Sequence, residues 1–251
     1  IPHIAVSRKN ELEIRRRSSR KKHKTTVSQY PRQLLTFTGE DSIITEAYRS
    51  LRTNLSFASP DKPLHTIALT SAGPSEGKSL TITNLAIAHA QMGRKTLLID
   101  ADLRRPILHH LFELRREPGF TDLFAEHCDY DRVIRPTPRE NLSLVTAGLF
   151  TPNPAELIGS QKMANHIEYF RSTYDIVFFD TPPVVAVTDA SLLATKVDGV
   201  LLVVKSHHID REIAARAIQN LRAVGAKIIG IVLNDIDLTH QYSSYGYYKY
   251  Y

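Results

Sequence analysis

The sequence is poor in cysteine: Cys128 stands alone among 251 residues, which excludes an internal disulfide framework and favours a reducing compartment. No apolar run approaches the ~18 residues that a membrane-spanning helix needs. Internal repeats are also lacking. Hydrophobic residues make up 42% of the chain, enough for a sizeable core. The length suits one α/β domain of about 200 residues with extensions. Because the chain begins with Ile1 rather than Met, we expect it to be a fragment of a longer protein.

A basic stretch near the N-terminus carries much of the net charge of +6. Between Arg8 and Lys24 there are nine lysines or arginines and two acids, Glu11 and Glu13. Like charges at this density repel one another, which is typical of a solvated linker. The same stretch could instead lie on anionic lipid, where each basic residue contributes ~1 kcal/mol. Nucleic acid is disfavoured as a partner, because no aromatic residue is interleaved with the charges.

Beyond this stretch, strands and helices alternate. Asp41 or Ser42 can cap a first helix over residues 42–57. The later predicted strands are 66–71, 96–101, 142–146, 175–179, 199–204 and 228–233. The later predicted helices are 78–92, 154–171 with a possible break at Gly159, 189–195 and 210–224, with short helical pieces between 103 and 140. This alternation predicts an α/β fold, a doubly wound and mostly parallel sheet with helices on both faces.

A phosphate-binding loop follows the strand at 66–71, in the strand-to-helix context that such a loop requires. Gly73 and Gly77 let backbone N–H groups turn toward phosphate oxygens. Lys78 supplies a charge for the β and γ phosphates, and Ser79 supplies a hydroxyl for Mg²⁺. The predicted ATP-binding residues are Gly73, Pro74, Ser75, Glu76, Gly77, Lys78, Ser79 and Leu80.

Carboxylates end two other predicted strands. Asp100 and Asp102 follow one strand, and Asp180 ends another like a Walker B acid. The carboxyl ends of parallel strands open onto one crevice, so we expect these acids to converge near the loop. Asp180 would hold Mg²⁺ or a water bound to it, while Asp100 and Asp102 divide between metal contact and the role of a base. Arg104 or Arg105 adds positive charge.

The last ten residues are dominated by tyrosine and show no core-forming period. Their phenols are Tyr242, Tyr245, Tyr247, Tyr248, Tyr250 and Tyr251. A phenol with a pKa near ~10 is a poor nucleophile at neutral pH, so a positioned carboxylate is needed to activate it. A phosphate loop and a tail of phenols in one chain predict a kinase that modifies its own C-terminus or that of a neighbour.

Together these motifs resemble the bacterial tyrosine kinases (BY-kinases) of capsule and exopolysaccharide assembly, of the Wzc type. That family combines, in this order, a Walker A loop, an hhhDxDxR motif, a Walker B strand ending in D-[TS]-P-P, and a C-terminal tyrosine cluster. Asp100, Asp102 and Arg104 match the second motif here, and residues 180–183 match the third. The resemblance extends from about Ser42 to the end and implies a P-loop NTPase fold of the MinD/ParA-like type.

The resemblance also implies Mg-ATP as the phosphoryl donor and a ring-shaped homo-oligomer. Glu46, Arg49 and Arg52 lie at steps of three on the first predicted helix, where the family packs one subunit against the next. Without the resemblance, these three residues would indicate a solvated charged face. Asn234, at the end of the last strand, is implied to read the adenine edge.

The opening residues 1–6 resemble the segment just after the second membrane helix of proteobacterial members. This implies a location at the cytoplasmic face of the bacterial inner membrane. The implied partners are a membrane part of the same protein, the polysaccharide export machinery and a phosphotyrosine phosphatase, with no nucleic acid.

We therefore expect an autophosphorylating protein-tyrosine kinase that acts on its own tail, mainly between subunits. Two alternatives are a MinD/ParA-like positioning or partition ATPase and a nucleotide-dependent scaffold. The MinD/ParA ATPases place a signature lysine where this chain has Gly73, which weighs against the first alternative. The predicted organisation is a basic juxtamembrane linker (1–40), a kinase domain (41–234) and a flexible tail (235–251).

Overall fold

The computed structural model describes Ile1, Leu34 and residues 43–60, 62–126 and 128–236. The basic stretch between Arg8 and Lys24 and the six tail tyrosines lie outside the described residues. In chain order, the elements are α1 (Ile43–Phe57), β1 (Thr66–Ser71), α2 (Lys78–Ala90), β2 (Thr96–Asp100), α3 (Leu108–Leu111), α4 (Phe120–Phe124), α5 (Tyr130–Val133), β3 (Ile134–Pro136), β4 (Leu142–Val145), α6 (Pro154–Gly159), α7 (Gln161–Thr173), β5 (Ile176–Asp180), α8 (Asp189–Ala194), β6 (Gly199–Lys205), α9 (Arg211–Ala223) and β7 (Ile228–Asn234).

The strands form one seven-stranded sheet in the order β3-β4-β2-β5-β1-β6-β7. Every neighbouring pair is parallel except β3 with β4, so the predicted doubly wound, mostly parallel sheet is confirmed. β3 was not predicted, because three residues ending in Pro136 carry no readable period. The predicted break at Gly159 is present, since Ser160 starts a new helix by accepting a hydrogen bond from the Met163 backbone N–H at 3.2 Å.

Hydrophobic side chains cover both faces of the sheet. All residues of β1, β2 and β5 are buried, as the near-continuous apolar strands of a sheet with helices on both sides require. Phe178 and Phe179 show the alternation: Phe178 joins the core layer beneath α1 and α2, and Phe179 joins the layer beneath α7 and α8. This packing fixes the carboxyl ends of the central strands at one edge.

Helix α1 packs on α2, the helix that follows the phosphate loop. Tyr48 is fully buried between them, and its phenol hydrogen-bonds with Asn84. The Arg52 guanidinium donates to the Ala88 carbonyl at 2.8 Å. The two helices therefore run side by side in the same direction. Among the helices of the described residues, none is both long and apolar enough to cross a bilayer.

Candidate active site

The loop between β1 and α2 adopts a conformation that needs glycine at position 77. Gly77 has a φ of +84°, and a Cβ atom there would lie 2.2 Å from the Asn234 Nδ2 atom. The Asn234 side chain donates to the Glu76 carbonyl at 2.9 Å, which ties the end of β7 to the loop. The sequence predicted Asn234 at the nucleotide site, and the structure brings it against the phosphate loop.

Glu76 shapes the loop from inside. Its side chain is 1% exposed, and one carboxylate oxygen accepts a hydrogen bond from the Gly73 backbone N–H. The other oxygen accepts from the Lys205 backbone N–H at 2.9 Å, at the end of β6. The sequence placed Glu76 in the loop. Its position in the motif accepts many residue types, so no sequence signal indicated that its side chain would brace the loop from inside.

The Lys78 ammonium joins the loop to the predicted acids. Its Nζ atom lies 2.9 Å from Asp102 Oδ2, 3.4 Å from Asp180 Oδ1 and 3.2 Å from Ser79 Oγ. Burial acts to lower the pKa of Lys78, but the nearby carboxylates of Asp180 and Asp102 outweigh it and raise that pKa. Lys78 therefore stays positively charged at the mouth of the loop.

Asp100 and Asp180 lie side by side at the ends of β2 and β5, where they are register partners, and both are fully buried. Burial raises the pKa of both carboxyl groups; for Asp100, the neighbouring charge of Asp180 raises the pKa further, and the shift is large. Asp100 Oδ1 and Asp180 Oδ2 have no hydrogen-bond partner among the described residues. Each acid thus keeps one buried oxygen available for another group.

The acids also fold the segment that follows β2. Asp100 Oδ2 accepts from the backbone N–H groups of Ile107 and Leu108 at 3.1 and 3.0 Å. Asp102 Oδ1 accepts from the Arg105 N–H at 3.0 Å. One oxygen of each acid fixes the turn, while Asp102 directs its other oxygen to Lys78.

Arg104 pairs with the carboxylate of Asp189 and not with Asp100, Asp102 or Asp180. Its guanidinium makes a two-point contact with Asp189, at 2.8 and 3.0 Å, and Asp189 is only 1% exposed. Sequence reasoning gave Asp189 only as the start of a helix. An acid at the first position of a helix is common, so the pattern held no signal that it would bind Arg104.

The predicted Mg²⁺ ligands can be tested against the side chains present. Among the described residues, no group of three His, Cys, Asp or Glu is arranged to hold a metal ion. Mg²⁺ needs no such cage, because it takes one or two carboxylates and completes its shell with phosphate and water oxygens. Ser79 Oγ and the unpartnered Asp180 Oδ2, beside Asp102, suit that sparse requirement. These side chains therefore fit Mg²⁺ bound together with ATP.

The predicted subunit contacts lie apart from this site. Glu46 and Arg49 are 68% and 42% exposed on α1 and lie 3.5 Å from each other. Arg52 differs, because its guanidinium is engaged with α2 of its own chain. The tail tyrosines lie outside the described residues.

Comparison with known proteins identifies relatives of this arrangement. Residues 63–244 match the ParA family model, described as the NUBPL iron-transfer P-loop NTPase. The chain is 39% identical to the tyrosine-protein kinase YwqD of Bacillus subtilis over 225 residues, covering 90% of this chain and 94% of YwqD.

Longer relatives match over a part of their length. The tyrosine-protein kinase wzc of Salmonella typhimurium is 33% identical over 219 residues, which cover 87% of this chain and 30% of wzc. Among solved structures, the chimerical protein CapA2B2 is 38% identical with a TM-score of 0.79, covering 82% of this chain and 90% of CapA2B2.

Proposed function

The chain belongs to the bacterial tyrosine kinase family, P-loop kinases with a ParA-type fold, and we propose that it transfers the γ-phosphate of ATP to the tyrosines of its own C-terminal tail. The observation that carries this proposal is the position of Lys78 Nζ, at 2.9 Å from Asp102 and 3.4 Å from Asp180. One ammonium at the mouth of a phosphate loop links the loop to the acids that the chemistry needs.

The loop from Gly73 to Leu80 would hold the β and γ phosphates, with Lys78 moving from its carboxylate partners onto phosphate oxygens. Asn234, whose amide donates to the Glu76 carbonyl, would contact the adenine of the bound ATP. When bound, Mg²⁺ supplies charge that stabilises the transferring phosphoryl group. Ser79 and Asp180 would hold it, with Asp102 beside them.

Asp100 is the side chain best suited to accept the phenol proton. Its Oδ2 atom is anchored by two backbone N–H groups, and its Oδ1 atom is unpartnered among the described residues. Its raised pKa makes it a stronger base than an ordinary carboxylate. The phenol oxygen bonds to the γ-phosphorus, the bond from that phosphorus to ADP breaks, and the phenol proton passes to Asp100.

The surroundings of Gly73 support a kinase over a positioning ATPase. A Cβ atom at Gly73 would lie 2.8 Å from the Ile209 Cδ1 atom. A lysine at this position, the MinD/ParA signature, would have to displace Ile209. This chain packs an apolar side chain where that alternative needs a charged one.

Purified chain incubated with Mg-ATP tests the proposed function. We expect phosphotyrosine among residues 242–251 by mass spectrometry, and none in a Lys78→Met chain treated in parallel. Hydrolysis of ATP without phosphotyrosine in the tail would contradict the proposal and favour the ATPase alternative.

We further propose that transfer runs mainly between subunits of a ring and that Glu46 and Arg49 contribute to the subunit contact. Because Arg52 bonds to α2 of its own chain, the sharp test changes Glu46 and Arg49 to Ala and retains Arg52. We expect a shift to monomer in sedimentation and slower transfer. An unchanged sedimentation profile would count against the ring.

The remaining parts of the proposal concern the membrane. The basic stretch between Arg8 and Lys24 would bind anionic lipid beside a membrane part of the same protein, at the cytoplasmic face of the inner membrane. The kinase would then regulate polysaccharide export, with a phosphotyrosine phosphatase reversing its action. Binding to anionic vesicles that 0.5 M NaCl releases would support this, since such salt shortens the screening length to below ~8 Å. Equal binding to neutral vesicles would contradict it.

A further inference from the structure

An exposed apolar pair, Leu149 and Phe150, follows the carboxyl end of β4, and the candidate active site lies at the carboxyl ends of the same sheet's strands. The two side chains are 43% and 76% exposed. They follow β4, where Val145 is the register partner of Ile99 on β2. Parallel strands lie ~4.8 Å apart, and the five residue steps from Val145 to Phe150 span at most ~18 Å. With the step of ~4 Å from Ile99 to Asp100, both residues of the pair lie within about 27 Å of Asp100.

The backbone that presents this pair is held in place. The Arg116 side chain donates to the Gly148 carbonyl at 2.8 Å, and the Thr121 hydroxyl donates to the Leu149 carbonyl at 2.8 Å. Gly148 has a φ of +84°, and a Cβ atom there would lie 2.5 Å from the Asp122 carboxylate. This turn needs glycine and several bonds to form, yet it leaves two large apolar side chains in solvent. Such side chains on a rigid backbone are suited to anchoring a partner.

We propose that Leu149 and Phe150 dock the tyrosine-rich tail, residues 242–251, of a second copy of this chain while one of its phenols lies beside Asp100. The inference rests on the proposed function and adds the surface that selects the substrate. The tail suits this surface, because six of its ten residues are tyrosine and Lys249 is the one charged residue. Aromatic rings pack favourably against one another and against aliphatic side chains. Tyrosines three to eight residues from the acceptor can span roughly 10–27 Å along the tail, which covers the distance within which the pair lies from Asp100.

The position of the tail's root favours a tail from another copy. The described chain ends at Ile236, beside β7, and the sheet order puts five strand steps, ~24 Å, between β7 and β4. In a chain's own tail, Tyr242 lies six residues beyond Ile236 and reaches at most ~21 Å, so only the later tyrosines could contact Phe150. A tail from a second copy has no such limit and can present any of its tyrosines to the pair.

The test measures transfer between two full-length chains. The acceptor is the Lys78→Met chain, which has an intact tail. The donor carries serine in place of all six tail tyrosines, either alone, with Leu149→Ala and Phe150→Ala, or with the control Met92→Ala. Met92 is 62% exposed just beyond the C-terminal end of α2, far from the loop. Initial rates of tail phosphorylation at a series of acceptor concentrations give KM and kcat for each donor.

We expect the Leu149→Ala, Phe150→Ala donor to show a KM at least about tenfold higher, the effect of losing one good apolar anchor. Its kcat should stay within about twofold, and the Met92→Ala donor should match the unaltered one. Equal KM values for all donors would overturn the docking surface. A variant that fails to assemble in sedimentation would also overturn it, by making the pair a subunit contact. Absence of tail phosphorylation with the unaltered donor would instead contradict the proposed function.

Discussion

The single carboxylate of Asp198 and the carboxylate pair of Asp100 and Asp180 lie at opposite ends of the parallel strands of the sheet and differ in how they are hydrogen-bonded. At the amino end of β1, Asp198 Oδ2 accepts from the backbone N–H groups of His65 and Thr66 and from the Thr66 hydroxyl, at 2.9–3.0 Å. Its Oδ1 atom accepts from Arg171 at 2.8 Å. At the carboxyl end, Asp100 and Asp180 each keep an oxygen with no partner in the described part of the chain.

The pKa shifts follow this difference. Burial acts to raise the pKa of Asp198, but its hydrogen bonds to His65 and Thr66 outweigh burial and lower it. Burial raises the pKa of Asp100 and Asp180, and for them the bonds present do not compensate. One sheet thus holds a carboxylate that its own fold satisfies and a pair that its fold leaves partly unsatisfied. The second arrangement costs stability, and it is the one suited to binding and proton transfer.

Among variants that distinguish the two ends of the strands, Lys78→Met is expected to have the largest effect. The change removes the charge that faces phosphate, so tail phosphorylation should fall at least about a hundredfold. The far-UV circular dichroism spectrum should stay unchanged, because Lys78 is not part of the apolar core. Phosphotyrosine detection by mass spectrometry provides the readout.

Lys162→Met is the matched control for this change. Lys162 also pairs with a carboxylate, that of Glu126, but on the surface. Its loss should leave transfer within about twofold, since exposed ion pairs contribute little. Equal losses in the two variants would mean that Lys78 has no special role.

Asp198→Asn should have the opposite effect to Lys78→Met: it should lower stability and leave phosphoryl transfer largely unchanged. The substitution removes the charge opposite Arg171 and puts an amide N–H group among donors. We expect the free energy of unfolding to fall by about 2–3 kcal/mol in urea titrations. Glu168→Gln is the control, because the Glu168 carboxylate is 76% exposed and makes a long, 3.9 Å contact with the same arginine. Its cost should be below about 0.5 kcal/mol, and a similar cost for both variants would contradict the comparison.

Asp100→Asn should abolish transfer without a loss of stability. An Asn oxygen can still accept from the Ile107 and Leu108 N–H groups, and its amide can donate toward Asp180. Because the substitution also removes a buried charge, we expect the free energy of unfolding to stay equal or to rise by about 1 kcal/mol. A fall comparable with that of Asp198→Asn would show that Asp100 is a structural residue.

Much of this fold was predictable from sequence, because continuous apolar strands between helical periods indicate a parallel sheet. The motif residues Lys78, Asp102 and Asp180 were predicted to converge, and they do. A sequence motif identifies only residues that lie at fixed spacings along the chain. The motifs did not reveal the Glu76 brace or the Arg104–Asp189 pair, because both depend on contacts between distant segments. Asp198 shows the same limit, since its partners at 65, 66 and 171 meet only after folding.

The smallest expected effect is a difference in the pH dependence of stability. Asp198 has a lowered pKa in the folded state, so its contribution is present above the ordinary carboxyl pKa of ~3.9 and is lost as the pH falls below it. Asp100 has a raised pKa, so between ~3.9 and that raised value the folded state holds more protons than the unfolded state. Stability from Asp100 therefore declines as the pH rises through this window.

Urea unfolding from pH 3 to 7 can separate these opposite slopes. Asp198→Asn should weaken the loss of stability toward pH 3, and Asp100→Asn should weaken the decline above pH ~4, each by less than ~1 kcal/mol per pH unit. Burial lowers the pKa of His89 to about 3, which adds a loss of stability as the pH falls below ~6.5. That loss is common to all variants, so the comparison uses differences from the unaltered chain. Identical curves for the two Asn variants would mean that the two ends of the sheet do not hold their carboxylates differently.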